Sequence, residues 1–514
     1  MRAELAGLAK FRVLYFLACG LLISACTRSV GTDSTVTGSN APVQSSSTAF
    51  GCGSADTPET GIQGDIPKAD KDSGRADAGY NCGVSFVAEL PAKGAVQGYD
   101  HCAYVRTGAN SIDVFDMRNP TVPKKVTSLT PVGSNGSGGT SETMRIVATP
   151  GILGSSQPQH VLLGSGSSIF EISDCEHPVH KGDIHWPGIL PWPAGLSHDI
   201  RISHDGTKVY AGIGVVVADI SNLDHPEAWT VANQTCNIAE QYHLVHFVPG
   251  LFDLSLCDVS EDTLPQLAHG PDDNDSGTRL YIGNQGIPAS VYTEADTLRI
   301  LDLTANPPKI LDTAPGPGHA VDWFRTADGR EYILHANEIV AVPEASCLPY
   351  PRPSNLGFAF EAFITEVTGD KLVRRSMLAL DINKSENCAA KIASGQSTSI
   401  AYQSIDNPYK ASFATVSFGD GFIPTGSGPS GAGLRIFDIR NPSAPKEVAY
   451  FNRGYLQHAS VTHYDPATGL LYMPGIDSAQ ILELQPQVVK GLGLPYPTDP
   501  SYPRYPNGRA AQPK

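Results

Sequence analysis

The strongest constraint on this chain is that it repeats. The segment GLRIFDIRNPSAPKEVAYF, from Gly433 to Phe451, has an earlier counterpart in SIDVFDMRNPTVPKKVTSL, from Ser111 to Leu129. Each shows an apolar strand, an acid, an Asn-Pro turn and a second strand. A unit of this size cannot bury its own apolar face, so it must stack against copies of itself. The acid recurs as Asp116, Glu171, Asp219, Asp302, Asp381, Asp438 and Glu483. Upstream of most of these lies another strand, often with Tyr, as in CAYVRTG, KVYAGIG, RLYIGNQ, EYILHAN and LLYMPGI. Polar turns such as SHDGTK, TADGRE and DPATGL precede several of them. Each unit therefore supplies about four strands in a meander, which is a propeller blade.

Seven units predict an all-β fold over residues 83–485: a single seven-bladed β-propeller, with six or eight blades as the alternatives. The 51 glycines and 40 prolines agree with many turns between short strands. The last unit stops after its third strand, at Leu484, and the first is preceded by an unassigned strand, Val84 to Leu90. Pairing the two closes the ring and removes two exposed edges. Blades four and five are long, with insertions near 249–277 and 343–374.

The N-terminus carries an address. Arg2, Lys10 and Arg12 precede a short apolar run, Val13 to Leu22, the pattern of a signal peptide over residues 1–25. Leu22-Ile23-Ser24-Ala25-Cys26 resembles the lipobox of bacterial lipoproteins, which implies lipidation at Cys26 and anchoring in a cell-envelope membrane. The expected location is outside the cytoplasm, facing the periplasm or the cell exterior, with inner or outer membrane left open. Residues 26–82 read as a Ser/Thr/Gly-rich tether, too poor in large apolar side chains to offset ordering. Residues 486–514 read as a Pro-rich tail.

Of ten cysteines, removing Cys19 and Cys26 leaves eight, an even number that suggests disulfides in an oxidising compartment. The preferred pairs are Cys236–Cys257 and Cys347–Cys388, followed by Cys82–Cys102. A net charge of −16 argues against a nucleic-acid partner. A monomer is expected.

The strand-acid-turn-strand signature with its NPSAPKEVAYF continuation resembles the LVIVD-repeat family of bacterial secreted β-propellers. The clear matches fall at 111–129 and 433–451, with weaker ones at 168–184, 214–231 and 298–312. The resemblance implies the fold and says little about chemistry.

The repeated acids read as turn formers, since an Asp at a strand end accepts nearby backbone N–H groups. In GPDDNDSG, residues Asp272, Asn274, Ser276 and Gly277 imitate the start of a calcium loop, but Gly283 stands where that loop needs Glu. The segment also falls at the first hairpin turn of its blade. Histidine is more informative. Aligning the first strands places His198, His243, His319 and His458 in one register, with Glu142 joining when Arg145 is matched to Arg201. First strands line the channel of a propeller, so these side chains would converge and suit zinc, copper or iron. His246, His335 and His463 form a second tier. Structural histidines that fix each blade explain the same register without a metal. The Pro-rich loop HWPGILPWP, with Trp186 and Trp192, could line a ligand mouth or simply pack.

Two functions follow. One is a membrane-anchored extracytoplasmic module that binds a small ligand, a metal or a protein. The other is a metal-dependent oxidoreductase that uses copper or iron on the axial histidines.

Overall fold

The middle strands of the blades are apolar on both faces because each blade lies between two others. In β4 (Cys102–Gly108), Ala103 and Val105 pack toward blade seven while Tyr104 packs toward blade two. In β16 (Arg279–Gly283), Leu280 and Ile282 face blade three and Tyr281 faces blade five. Successive side chains of a strand point to opposite faces, so a strand buried between neighbouring blades needs apolar residues at successive positions.

The computed structural model describes most of residues 48–494; residues 1–47, 132–143, 150–158, 185–199, 221–226, 231–269, 284–296, 337–346, 348–360, 420–430, 454–460, 495–514 and several shorter connections fall outside it. The described elements begin with α1 (Lys68–Ser73), α2 (Arg75–Ala78), β1 (Tyr80–Cys82) and β2 (Val84–Pro91). Blade one follows as β3 (Val96–Tyr99), β4, β5 (Ser111–Asp116) and β6 (Lys124–Leu129). Blade two is β7 (Arg145–Thr149), β8 (Gln159–Gly164), β9 (Ser168–Glu171) and β10 (Val179–Asp183). Blade three is β11 (Ile200–Ile202), β12 (Lys208–Ala211), β13 (Val216–Asp219) and β14 (Glu227–Thr230). Blade four is β15 (Asp272–Asp273), β16, β17 (Thr297–Asp302) and β18 (Lys309–Pro315). Blade five is β19 (Ala320–Arg325), β20 (Glu331–Ala336), β21 (Glu361–Thr368) and β22 (Lys371–Ala379), followed by α3 (Cys388–Ser394). Blade six is β23 (Ser399–Ile405), β24 (Phe413–Gly419), β25 (Gly433–Asp438) and β26 (Lys446–Asn452). Blade seven is β27 (His463–Asp465), β28 (Leu470–Met473) and β29 (Ser478–Leu484), and α4 (Pro486–Leu492) ends the described chain.

These make seven antiparallel sheets. An apolar seam fills each of the seven junctions between neighbouring blades, including the one that joins blade seven to blade one. The protein is an all-β propeller. Blade seven takes its fourth strand from the other end of the chain: β2 pairs with β29 from Val84↔Leu484 to Pro91↔Ser478. The expected closure is found.

The second-strand tyrosines are a repeated device. Tyr104, Tyr210, Tyr281, Tyr332 and Tyr472 are fully buried. Each lies in the seam to the following blade. Tyr472 fits there because Gly98 opposite it has no side chain; a Cβ at that position would come 2.1 Å from the ring.

Four of the repeated acids act as turn formers. Asp116, Glu171, Asp302 and Asp438 each accept the backbone N–H two residues on, at 2.8–3.0 Å. Asp381 and Glu483 differ. Asp381 opens a 3-10 turn beyond the fourth strand of blade five, and the third strand of that blade is β21, inside the stretch expected to be an insertion. Glu483 lies within β29 opposite Ser85.

Residues 48–82, expected to belong to the tether, are folded onto blade six. β1 pairs with β26 as its fifth strand, and Cys52 bonds Cys82. Ile66, Ala76 and Tyr80 form a small core with Tyr450. Glu59 and Glu447 clamp the fully buried Arg435, whose guanidinium also lies over the Tyr450 ring. Burial opposes the charge on Arg435, but the two carboxylates outweigh it and raise its pKa. Composition misleads here because a disulfide and a buried ion triad replace apolar area. The start of the expected tail is likewise structured, since Val488, Val489 and Leu492 of α4 join the seam between blades six and seven.

The Cys347–Cys388 bond forms as expected. The Cys82–Cys102 expectation is overturned: Cys82 bonds Cys52 at the edge of blade six, and Cys102 of blade one bonds Cys175 of blade two. Cys236 and Cys257 lie outside the described residues, as do Cys26 and the Trp186/Trp192 loop. Among the described residues no helix is long and apolar enough to cross a membrane.

Candidate functional site

The first strands meet their neighbours around the hub. β27 touches β3, β3 touches β7 and β7 touches β11, while β15 touches β19 and β19 touches β23. Charged side chains on these strands therefore approach one another. Arg201 of β11 donates to Asp322 of β19 in an ion pair with both side chains under a tenth exposed. This pair reaches from blade three to blade five, past blade four, whose inner strand is only Asp272–Asp273. Burial pushes the Asp322 carboxyl up, and Arg201 and Arg145 pull against it. His463 of β27 donates from Nε2 to the Gly98 carbonyl at 3.0 Å. Burial holds its pKa down to about 4, helped by Arg145, so the ring is neutral near pH 7.

A cluster of titratable side chains lies beside the Arg201–Asp322 pair, at the end of the inner strands. The turn after β11 carries His204, and its backbone N–H donates to Asp273 Oδ1 at 3.0 Å. His204 Nε2 lies 3.3 Å from Asp272 Oδ1. Asp272 Oδ2 accepts the Trp323 backbone N–H at 2.7 Å, and Asp273 Oδ2 accepts the Tyr210 hydroxyl at 3.1 Å. The imidazole meets the Trp323 ring edge-on, with centroids 4.9 Å apart. Blades three, four and five each contribute. Donor atoms of His204, Asp272 and Asp273 lie within 4.8 Å of one another.

Electrostatics match that crowding. Burial pushes the His204 pKa down, but Asp272 and then Asp273 outweigh it and leave it raised. Burial and the neighbouring Asp272 push Asp273 up to about 7. Burial also raises the Tyr210 hydroxyl, keeping it protonated and donating. The calcium-loop imitation resolves into ordinary hairpin chemistry, with Asn274 Oδ1 accepting the N–H groups of Thr278 and Arg279.

Of the residues expected to bind metal, His198, His243, His319, His458 and Glu142 lie outside the described residues, as does His246. The described inner strand of blade four is β15 at 272–273. His335 is fully buried in the second strand of blade five, where Nε2 lies 2.8 Å from Thr365 Oγ1; it belongs to the body of the blade. His463 is at the hub. Sequence reasoning missed His204, Asp272 and Asp273 as a group. The only signal was an Asp-Asp pair beside one hairpin turn and a His-Asp-Gly turn one blade earlier. Two further His/Cys/Asp groups, His101/Cys102/Cys175 and Cys52/Asp56/Cys82, have their sulfurs tied up in disulfides.

No family model and no curated protein matches the chain. Among solved structures it is similar to a chain of a structure titled "Crystal Structure of Mitotic Checkpoint Complex", at 8% identity and a TM-score of 0.39, covering 84% of this chain and 98% of that one. What the fold itself defines is a β-propeller, a scaffold that gathers loops and inner strands around one hub for binding.

Proposed function

We propose that this protein is an exported, envelope-anchored β-propeller lipoprotein that works as a binding module for a small ligand, a metal or a protein. The observation that supports export is the set of disulfides, Cys52–Cys82, Cys102–Cys175 and Cys347–Cys388, which persist in oxidising compartments. The lipobox-like LISAC ending at Cys26 supplies the anchor, and Ala49, near the start of the described chain, donates its N–H to the Glu447 carbonyl on blade six. The binding surface is the polar hub and the loops around it. Metabolic labelling with a fatty acid tests the anchor. The expected result is label on the wild-type chain in the envelope fraction and none on Cys26→Ser. Unlabelled protein with free thiols in the cytosol contradicts the proposal.

The oxidoreductase reading rests on the His198, His243, His319, His458 and Glu142 register. Copper or iron on the purified chain, lost on replacing His319, is the result that reading requires.

A further inference from the structure

Two carboxylates and one imidazole are buried together here. Asp273 is fully buried, and the side chains of Asp272 and His204 are about a tenth exposed. Arg201 pairs with Asp322, and Arg325 with Asp275 at 2.7 Å.

The geometry points to a divalent transition-metal site of the zinc class, held by His204 Nε2 with the carboxylates of Asp272 and Asp273. Two ligand atoms each about 2.05 Å from a tetrahedral ion stand roughly 3.3 Å apart. His204 Nε2 and Asp272 Oδ1 stand at 3.3 Å. The donor set of one imidazole and two carboxylates suits zinc and its neighbours. The surroundings orient those donors as a metal site requires. The Trp323 N–H holds Asp272 Oδ2, and Oδ1, which also accepts the Asp273 N–H at 3.1 Å, faces the imidazole. The His204 N–H and the Tyr210 hydroxyl hold Asp273. Such outer partners normally set the aim of ligating carboxylates.

The site joins blades three and four directly and blade five through Trp323. Its burial makes it a structural rivet rather than a catalytic centre. It shares no residue with the histidine register of the first strands, and it stands independently of the lipid anchor.

The test uses the exported full-length chain, stripped with a chelator and titrated with zinc alone. The expected result is a rise in melting temperature on adding zinc, and one fewer zinc per chain in Asp272→Asn and in His204→Gln than in wild type. Asp275→Asn, beside the site but paired to Arg325, should keep the full complement. A zinc absorption-edge spectrum of the wild type should show nitrogen and oxygen ligands with a single imidazole, and this readout survives even if the variants fold poorly. Wild-type protein that takes up no zinc, equal zinc in wild type and both ligand variants, or a spectrum with several imidazoles would each overturn the site.

Discussion

Blade six and the hub both bury ion pairs, but they join different things. At blade six, Arg435 meets Glu59, 376 residues away in the N-terminal segment that precedes the repeats. At the hub, Arg201 meets Asp322, 121 residues away, and both belong to repeated inner strands. The first contact ties a non-repeating segment to the wheel, and the second ties one spoke to another. Seven similar seams would hold any register of blades equally well, because apolar packing is not directional. The unique partner choices therefore come from segments that break the repeat. Residues 48–91 are the largest such segment described, and they supply a fifth strand to blade six and a fourth to blade seven.

If that contrast is correct, the largest effect should come from blade six. Arg435→Met strands Glu59 and Glu447 as buried charges and should cost about 3–5 kcal/mol in denaturant unfolding. Adding Glu59→Met should recover part of that loss, whereas simple loss of packing would add to it. Next comes the disulfide. Cys52→Ser with Cys82→Ser opens a loop of sequence separation 30 and should cost about 3–4 kcal/mol by chain entropy. Its signature is earlier opening of residues 48–91, read by limited proteolysis.

At the hub the effect should be smaller. Asp322→Asn keeps the shape and an acceptor for Arg201, so about 2 kcal/mol is expected in thermal unfolding. The hub also carries a pH dependence. His463 is neutral in the folded chain, with its pKa held near 4, while the unfolded ring titrates near the ordinary histidine value. Below that ordinary value the unfolded state gains a proton that the folded state refuses. Stability should therefore fall as pH drops from about 6.5 toward 4, by no more than about 3 kcal/mol. Partial exposure of the residue reduces that ceiling. His463→Gln should remove this contribution, checked by unfolding at both ends of the window.

Much of the wheel was legible because its signals are local and repeated. The strand pairs at Asp116 and Asp438, the tyrosine strands and the spare strand at Val84 all follow from pattern. Blade five was misread for a physical reason. Leu380-Asp381-Ile382 imitates the repeat, so β21 was hidden inside an assumed insertion although EAFITEVTGDK is a plain hairpin sequence. The clasp at 48–82 was missed because its stability comes from one disulfide and one ion triad, which leave no periodicity. The buried cluster was missed for another reason. His204, Asp272 and Asp273 come together only once adjacent blades stack, and neighbouring strands of different blades have no fixed spacing in sequence.

Amide hydrogen exchange across 84–91 and 478–484 tests the central claim most directly. The account predicts that the two strands stay protected and lose protection together, at the same denaturant concentration as the inner strands. Rapid exchange at 84–91 while 478–484 remains protected would show that the ring does not close through its N-terminal strand.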